Sequence, residues 1–246
     1  SSTIAFTATS STAGEGTTAV SIPVSISSTS AATVDDSVTG GTATGSGTDY
    51  TLASGTLTFT DGGATTQNIT FIVVDEALYE LDETIIITLT NSTGANLGTN
   101  TVHTYTITND DAMPIVAFTA TSSSGAESVT APTITVTLSG ASALATTVDY
   151  AASGTSSASG GSDYTLAAGT LTFAAGTTSQ TIPLTIVNDL NTELNETVIV
   201  ILSNALNATL GTSSHIYTIE DNDPPAISFD VTSSNGSEAT TNITIP

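Results

Sequence analysis

The sequence of 246 residues contains no lysine and no arginine, whereas it contains 23 aspartates and glutamates, which gives a formal net charge of −23 at pH 7. Nucleic acids and anionic membrane surfaces are polyanions that bind proteins through Lys and Arg, so neither is an expected partner. The same absence leaves the acids without basic side chains to neutralise them. Wherever carboxylates crowd together, a bound cation is therefore the expected source of positive charge.

Cysteine is also absent, which excludes disulfide bonds. There is no initiator Met, no cleavable signal sequence and no apolar run of about 18 residues. We therefore expect no membrane insertion in this segment, and either removed targeting segments or a longer parent protein. Aromatic residues make up only 5% and hydrophobic residues 38%, which is enough to build cores. Together with abundant Ser and Thr, this composition favours β-strands with small, hydroxylated outer faces.

Long stretches of the chain occur twice. "GTDYTLASGTLTF" (47–59) recurs as "GSDYTLAAGTLTF" (161–173), and "HTYTITNDDAMPIVAFTATSS" (103–123) recurs as "HIYTIEDNDPPAISFDVTSS" (215–234). The offset of about 112 residues predicts one domain at 1–112 and a second at 113–224. Residues 225–246 then read as the first strands of a third repeat, or as a strand donated to a neighbouring subunit.

Each repeat reads as all-β. Apolar residues alternate with polar ones in "TQNITFIVV" (66–74), and Gly, Asp and Asn turns separate the runs. The predicted strands of the first repeat are 3–9, 18–27, 33–38, 56–60, 66–74, 84–91 and 102–109. About seven short strands in such a length predict tandem immunoglobulin-like antiparallel β-sandwiches. Pro23, Pro132 and Pro183 fall in predicted strands, so we expect these positions at edges or bulges.

The acidic residues return at the same places in each repeat. They follow the first strand, occur in the "DY" motif, fill the run "DEALYELDE" (75–83) and follow the last strand. In a sandwich these segments can gather at the end where the chain leaves the domain. Ca²⁺ takes six to eight oxygen ligands in flexible geometry, which suits several loops. The alternative is that these acids are solvated loop residues, as Asp35 and Asp36 are expected to be.

The order of these features resembles the Calx-beta domain family, which includes calcium-sensing domains of sodium–calcium exchangers and repeats of extracellular adhesins. The resemblance implies Ca²⁺ as cofactor, several ions per chain. The ligands it implies are Glu15, Asp49, Asp75, Glu76, Glu80, Glu83, Asp110 and Asp111 in the first repeat, and Glu127, Asp163, Asp189, Glu193, Glu196, Asp221 and Asp223 in the second. Asn188, Asn195 and Asn222 replace acids of the first repeat, so the second site should bind fewer ions or bind them more weakly.

Catalysis has little support, and we expect no enzyme. His103 and His215 occupy equivalent positions, so they repeat with the architecture, and no nucleophile–base pair is confined to one domain. The leading hypothesis is a structural module of an extracellular or cell-surface filament, stalk or adhesin, stiffened by Ca²⁺ at domain junctions. Its partners would be neighbouring repeats or copies of itself. The alternatives are a calcium-sensing or partner-binding module, and a fibre subunit assembled by strand donation.

Six sequons permit N-linked glycans in a host that makes them. Their acceptors are Asn68, Asn91, Asn195, Asn207, Asn235 and Asn242.

Overall fold

The computed structural model describes residues 1–225, 227 and 233–236, and this part of the chain contains strands and no helix. The predicted third repeat or donated strand at 225–246 lies almost entirely outside the described residues. The chain divides into two compact units. The first comprises Ser1–Ile115 with Leu138–Thr146 and Phe173–Thr178, and the second comprises Val116–Thr137, Thr147–Thr172 and the chain from Ser179 onward. The predicted class, tandem immunoglobulin-like β-sandwiches, is confirmed.

The first unit is built from two five-stranded sheets. Its strands are β1 (Thr3–Phe6), β2 (Ser10–Gly14), β3 (Ala19–Ile26), β4 (Ala32–Gly41), β5 (Tyr50–Thr51), β6 (Gly55–Phe59), β7 (Thr66–Val73), β8 (Leu78–Tyr79), β9 (Glu83–Thr93), β10 (Asn96–Leu97) and β11 (Val102–Thr108). One sheet has the order β10-β1-β3-β7-β5 and the other β2-β11-β9-β4-β6.

The second unit repeats this plan. Its strands, with β15 assigned to the first unit, are β12 (Ile115–Phe118), β13 (Ser122–Ala126), β14 (Ile134–Leu138), β15 (Ala141–Ser142), β16 (Thr146–Ala152), β17 (Tyr164–Thr165), β18 (Gly169–Phe173), β19 (Ser179–Ile182), β20 (Thr185–Ile186), β21 (Glu196–Leu206), β22 (Thr209–Leu210) and β23 (Ser214–Glu220). The two main sheets of the second unit are β19-β14-β12-β22 and β13-β23-β21-β16-β18, and β17 pairs with β20. β15 pairs with β8 within the first unit.

Strict alternation along the strands makes the core of the first unit. In β3 the side chains of Val20, Ile22, Val24 and Ile26 point inward and are buried, and the intervening residues face outward. The inner face of β9 does the same from the opposite sheet. Each such side chain contributes about 1.5–3 kcal/mol by its removal from water. Most outward residues of these two strands are Ser or Thr and need no such cover, so a small domain with few aromatics still closes a core.

The first stretch of each unit changes sheets. β1 pairs with β3, whereas β2, only three residues further on, pairs with the last strand β11. The pairing of β2 with β11 is parallel, with Ser10 opposite Thr104 and Gly14 opposite Thr108. In the second unit β13 pairs with β23 in the same parallel way. The first and last parts of each unit are therefore direct neighbours in one sheet.

A buried histidine fixes this sheet change. His103 on β11 is 2% exposed; its Nδ1 lies 2.8 Å from the carbonyl oxygen of Ala8 and its Nε2 lies 2.7 Å from Ser11 Oγ. With Nδ1–H donating to the carbonyl, Nε2 accepts from the hydroxyl. The ring also packs against Phe6, with centroids 5.3 Å apart. His215 makes the equivalent bonds in the second unit, so the repetition of the two histidines has a structural cause.

The prolines behave differently from the expectation for edges or bulges. Pro23 lies in β3, which is a central strand, so that prediction is wrong. Its carbonyl accepts from Thr7 N, just beyond the end of β1, so the missing N–H faces a place where the neighbouring strand has stopped. Pro132 precedes β14, and Pro183 separates β19 from β20. The continuous strand β7 of the first unit is thus divided in the second.

Candidate metal centres

The ends of five segments bring acidic side chains together in the first unit. Because β2, β7 and β11 end at the same edge of the sandwich where β5 and β9 begin, the residues next to those ends meet. Glu15 follows β2, and Asp49 precedes β5. The loop after β7 carries the acidic run up to Glu83, and β11 is followed by a short acidic segment. The predicted gathering at the end where the chain leaves the unit is what the strand directions produce.

Seven of these acids form three overlapping triads. In each triad one carboxylate oxygen per residue lies within 4.8 Å of the others. The triads are Glu15–Asp110–Asp111, Glu15–Glu76–Glu80 and Asp49–Glu80–Glu83. Glu15 and Glu80 each belong to two triads, so the three triads are linked into one continuous row of carboxylates.

Several of these carboxylates are buried without a hydrogen-bond partner. Glu15 is 3% exposed, and its Oε2 is buried with no donor in reach. The Oε2 atoms of Glu76 and Glu83 are buried and unpaired as well. A buried polar atom without a partner costs roughly 1–3 kcal/mol, and more when it carries charge. These oxygens therefore face a position that a positively charged ligand would stabilise.

The pKa values of the buried glutamates in the row are raised, because burial and neighbouring carboxylates both disfavour the charged form. Burial raises the pKa of Glu15 from 4.5 to about 7, and repulsion by Glu76, Glu80 and the two aspartates after β11 adds to the effect. Burial likewise raises the pKa of Glu76 to about 7, with repulsion from Glu80. The pKa of Glu83 also rises to about 7, first through burial and then through its contact with Asp49. Without a cation, ionisation of these three carboxyl groups is therefore disfavoured near neutral pH.

Backbone N–H groups fix the orientation of the three aspartates in the row. Gly16 N donates to Asp110 Oδ2 at 3.2 Å, and Leu78 N donates to Asp111 Oδ2 at 2.8 Å. Thr44 N donates to Asp49 Oδ2. These bonds use one oxygen of each aspartate and orient the side chain, because the donors belong to the backbone of neighbouring loops.

The second unit contains a reduced version of the row. Its triads are Glu127–Asp221–Asp223 and Asp163–Glu193–Glu196, and they share no residue. Glu127 is 4% exposed, and its Oε2 is buried and unpaired, as is Asp223 Oδ2. Burial raises the pKa of Glu196 to about 7, followed by its contact with Asp163. Asn222 stands in the place of Asp110 and keeps the loop contact, since its Oδ1 accepts from Ser128 N at 3.1 Å.

Comparison with known families agrees with this arrangement. The family model described as Calx-beta domain matches residues 1–111 and again residues 109–223. The chain belongs to the Calx-beta family. It carries two Calx-beta domains in tandem, as the resemblance of the sequence motifs predicted.

Solved structures similar to this chain include tandem Calx domains. CBD12 from CALX1.2 is 22% identical over 88% of this chain and 99% of its own, with a TM-score of 0.43. The calcium binding domain CBD12 of CALX1.1 is 21% identical over 87% of this chain and 98% of its own, with a TM-score of 0.44. The apo form of the Calx CBD1 domain is 27% identical over 45% of this chain and 98% of its own, with a TM-score of 0.42.

Two predicted ligands lie outside the triads of the described residues. Asp75 is exposed at the start of its loop. Asp189 accepts hydrogen bonds from the backbone N and the Nδ2 of Asn191, at 2.7 and 2.8 Å. Asp189 still lies near enough to raise the pKa of Glu127, after burial. The other thirteen predicted ligands all belong to a triad in one of the two Calx-beta domains.

Sequence reasoning missed the residue that organises the loops of the first domain. Asn109 accepts from Glu80 N at 3.0 Å through Oδ1, donates from Nδ2 to the carbonyl of Asp111 at 2.8 Å, and donates from its backbone N to Asp82 Oδ1. It thereby ties the run after β7 to the segment after β11. Its position directly after the last strand, in line with Asp221 of the second repeat, was the available signal.

Asp35 and Asp36, expected as solvated surface acids, are not equivalent. Asp36 is 4% exposed, so that expectation is wrong for it; burial raises its pKa, and a hydrogen bond from the Gly55 backbone opposes the rise. Asp35 accepts from Thr56 Oγ1 at 2.7 Å and from Asn91 Nδ2 at 3.1 Å, and these bonds lower its pKa. The second domain repeats the outer contact with Asp149, Thr170 and Asn204.

This contact bears on the predicted glycan acceptors. Asn91 has a positive φ of 50° and its Nδ2 is engaged by Asp35, while Thr93 of the same sequon bonds Thr33. Asn204 has the same conformation and bonds Asp149 in the same way, although it begins no sequon. The structural contact alone therefore explains why Asn91 is an asparagine. Asn68, Asn195 and Asn235 are exposed, and Asn207 is half-buried. Asn242 lies outside the described residues.

No helix within the described ranges is long and apolar enough to cross a membrane.

Proposed function

We propose that the two Calx-beta domains bind Ca²⁺ through their carboxylate rows and serve as stiff structural segments of an extracellular or cell-surface filament, stalk or adhesin. The domains act by binding and not by catalysis. Their partners in this role are neighbouring repeats or further copies of the chain, and exposed sequons such as that of Asn68 are available for glycans.

The observation that carries the calcium proposal is the Glu15 carboxylate. It is buried, its Oε2 lacks a donor, and it belongs to two triads of oxygen ligands. The chain has no Lys or Arg that could neutralise its negative charge. Oxygen ligands line the row, which is the ligand chemistry of a hard cation. They come from several separate loops, which suits the flexible coordination geometry of Ca²⁺ better than the strict octahedron of Mg²⁺. The related domain of CALX1.1 is described as a calcium binding domain.

The structural role is favoured by where the rows lie along the chain. Asp110 and Asp111 are two of the first three residues after β11, and β12 begins at Ile115. A cation held there would fix the segment that connects one domain to the next. Carboxylates crowded into so short a segment repel one another when no cation is present, so a bound cation would hold the segment more firmly.

A calcium-sensing role is the second candidate, because the two rows differ. The first has three linked triads, and the second has two that share no residue. Sites of unequal charge fill at different calcium concentrations, which a sensor could use to report on a range. Assembly by strand donation would depend on residues 225–246, which lie outside the described part.

Calcium titration of the whole chain tests the proposal. We expect a measurable heat of binding and a higher melting temperature with Ca²⁺, a much weaker effect with Mg²⁺, and reversal by a chelator. Small-angle scattering with and without Ca²⁺ then separates the two candidates. A filament segment should become elongated and stay so at all calcium concentrations above saturation of the first row, whereas a sensor should show a second change as the other row fills.

The matched control removes one negative charge elsewhere. Asp61 is exposed in the turn before β7 and belongs to no triad. Asp61→Asn should leave calcium binding unchanged, whereas Glu15→Gln should reduce it by tenfold or more, equal to about 1.4 kcal/mol. Equal binding by both variants, or no binding by the unaltered chain, contradicts the proposal.

A further inference from the structure

The parallel pairing of β2 with β11 has a mechanical meaning. The chain enters the first domain through β1 and β2 and leaves it through β11. Because β2 and β11 run in the same direction, tension between the two ends pulls them in opposite directions along their common axis. The hydrogen bonds from Ser10–Thr104 to Gly14–Thr108 are then loaded together instead of one after another. Breaking the pair requires all of these bonds to fail at once.

Further bonds lie at both ends of the same pair. Thr104 N donates to the carbonyl of Thr9 at 2.9 Å, and Glu15 N donates to the carbonyl of Thr108 at 3.3 Å. The imidazole of His103 bonds Ala8 and Ser11, directly ahead of and within the start of β2. Any sliding of β2 toward its amino end must therefore break the histidine contacts as well as the ladder.

The other end of the pair enters the carboxylate row. Glu15 is the first residue after β2, and Asp110 and Asp111 follow β11 almost directly. These three residues form one triad, and Gly16 N already bonds Asp110 across the same gap. The Oε2 of Glu15 is buried without a hydrogen-bond partner, and a carboxylate oxygen of Glu15 lies within 4.8 Å of oxygens of both aspartates. A cation here would be held by both strands of the pair, at the point where sliding begins.

We infer that each Calx-beta domain of this chain resists tension through the parallel pairing of its second strand with its last strand. In the first domain, where these strands are β2 and β11, a Ca²⁺ ion held by Glu15, Asp110 and Asp111 strengthens the pair. The calcium part rests on the proposed function, whereas the strand part rests on the register alone. The second domain has the same pair, β13 with β23, and its own triad, with Asn222 in the place of Asp110.

Single-molecule stretching of the whole chain tests the strand part. With handles at the two ends, each domain should unfold in one step that releases roughly 35 nm of chain. Because the sequence has no cysteine, a second pulling direction is easily introduced through Ser10→Cys with Thr104→Cys. These two residues face each other at one end of the pair, so force applied there peels the bonds in turn. We expect an unfolding force lower by about twofold or more in the peeling direction, since single hydrogen bonds are weak. Equal forces in both directions overturn the clamp.

The calcium part is tested in the end-to-end direction. Ca²⁺ should raise the unfolding force of the domains, and Asp110→Asn should remove the increase for one of the two steps while the other step serves as an internal reference. Asp110→Asn keeps an acceptor for Gly16 N, as Asn222 does in the second domain, so its effect reports the lost charge. Asp61→Asn is the control for charge removed elsewhere.

The outcomes separate the two proposals. If Ca²⁺ raises the melting temperature but not the unfolding force, the ion does not strengthen the pair and the inference fails while calcium binding stands. If Ca²⁺ changes neither quantity, the proposed function fails and the calcium part fails with it. If the force rises equally in the unaltered chain and in Asp110→Asn, the triad is not the place where calcium acts.

Discussion

Replacing Glu15 by Gln should stabilise the calcium-free protein and destabilise the calcium-loaded one. Glu15 is 3% exposed and surrounded by other carboxylates, so its ionised form is the unfavourable one in the folded state. Gln has nearly the same shape, carries no charge and can donate to the neighbouring acids. The substitution therefore removes the electrostatic penalty without opening a cavity.

The size of the effect follows from the pKa. A carboxyl group whose pKa is 4.5 in the unfolded chain and about 7 in the folded one loses about 3 kcal/mol of stability between low pH and pH 8. Part of this penalty is shared with Glu76 and Glu80, because all three repel one another. We therefore expect Glu15→Gln to raise the free energy of unfolding of the calcium-free first domain by about 1–3 kcal/mol at pH 8, or roughly 5–15 °C in melting temperature.

The pH dependence has a definite sign. Because the folded-state pKa is raised, the calcium-free domain is destabilised by this group fully above pH 7 and not at all below pH 4.5. The unaltered protein should thus become more stable as the pH falls from 8 to 5, and the gain of Glu15→Gln over it should shrink. Calorimetric melting at several pH values, with chelator and with Ca²⁺, measures all of this. The melting transition of the second domain, which the substitution does not alter, serves as the internal reference.

One result refutes the reasoning. If Glu15→Gln lowers the melting temperature of the calcium-free protein at pH 8, the Glu15 carboxylate is stabilised by the fold and the unpaired oxygen has no energetic significance. Asp61→Asn should change the stability by no more than about 0.5 kcal/mol under every condition, as expected for a surface substitution.

Three further predictions follow from the two domains. Calcium titration should saturate at five ions per chain, three for the triads of the first domain and two for those of the second. Because Glu80 belongs to two triads, Glu80→Gln should remove two of the five ions, as counted by calorimetry. An unchanged number of ions in the variant would contradict the shared role of Glu80. His103→Ala should lower the free energy of unfolding by about 2–4 kcal/mol, measured by chemical denaturation, whereas Ser11→Ala should lower it by about 1 kcal/mol. Loss of the His103 ring empties a buried site and leaves the Ala8 carbonyl without its donor. Equal effects of the two substitutions would show that the ring itself is dispensable. Trypsin should leave even the denatured chain intact, since there is no Lys or Arg to recognise; fragments in a mass spectrum would disprove the stated sequence.

The long strands were predictable because alternation and burial coincide in them. β3, β7, β9 and β11 lie within a few residues of their predicted positions. β2 was not predicted, because "SSTAG" has no apolar alternation and pairs only through its backbone at the edge of the sheet. The two-residue strands β5 and β10 carry no pattern at all and exist because the longer strands β7 and β1 offer them hydrogen bonds. β8 also carries no pattern, and its partner β15 is equally short. Pro23 was misjudged because its tolerance depends on where β1 ends, which is a property of the partner strand.

The gathering of the acidic residues was more predictable than the short strands. Repetition identified thirteen acids that fall into triads, since loops at equivalent strand ends must meet in both domains. The roles of individual acids were not readable, because they depend on which oxygen the backbone engages. Asp189 is turned toward Asn191, and Asn109 holds two loops together although it carries no charge. The spacing of residues along the sequence does not show which atoms these side chains contact.

The sharing of Glu15 and Glu80 between triads has a consequence for how the first domain would fill. A carboxylate that serves two positions loses its rotamer freedom when the first ion is bound, so the second ion meets a ligand that is already fixed. Lying between the two positions, the same carboxylate also screens the repulsion of one ion by the other. Occupancy of the first domain would therefore rise steeply over a narrow range of calcium concentration, with a Hill coefficient above one. The second domain, whose triads have no residue in common, would fill gradually. One chain would then combine a threshold and a graded response to the same ion.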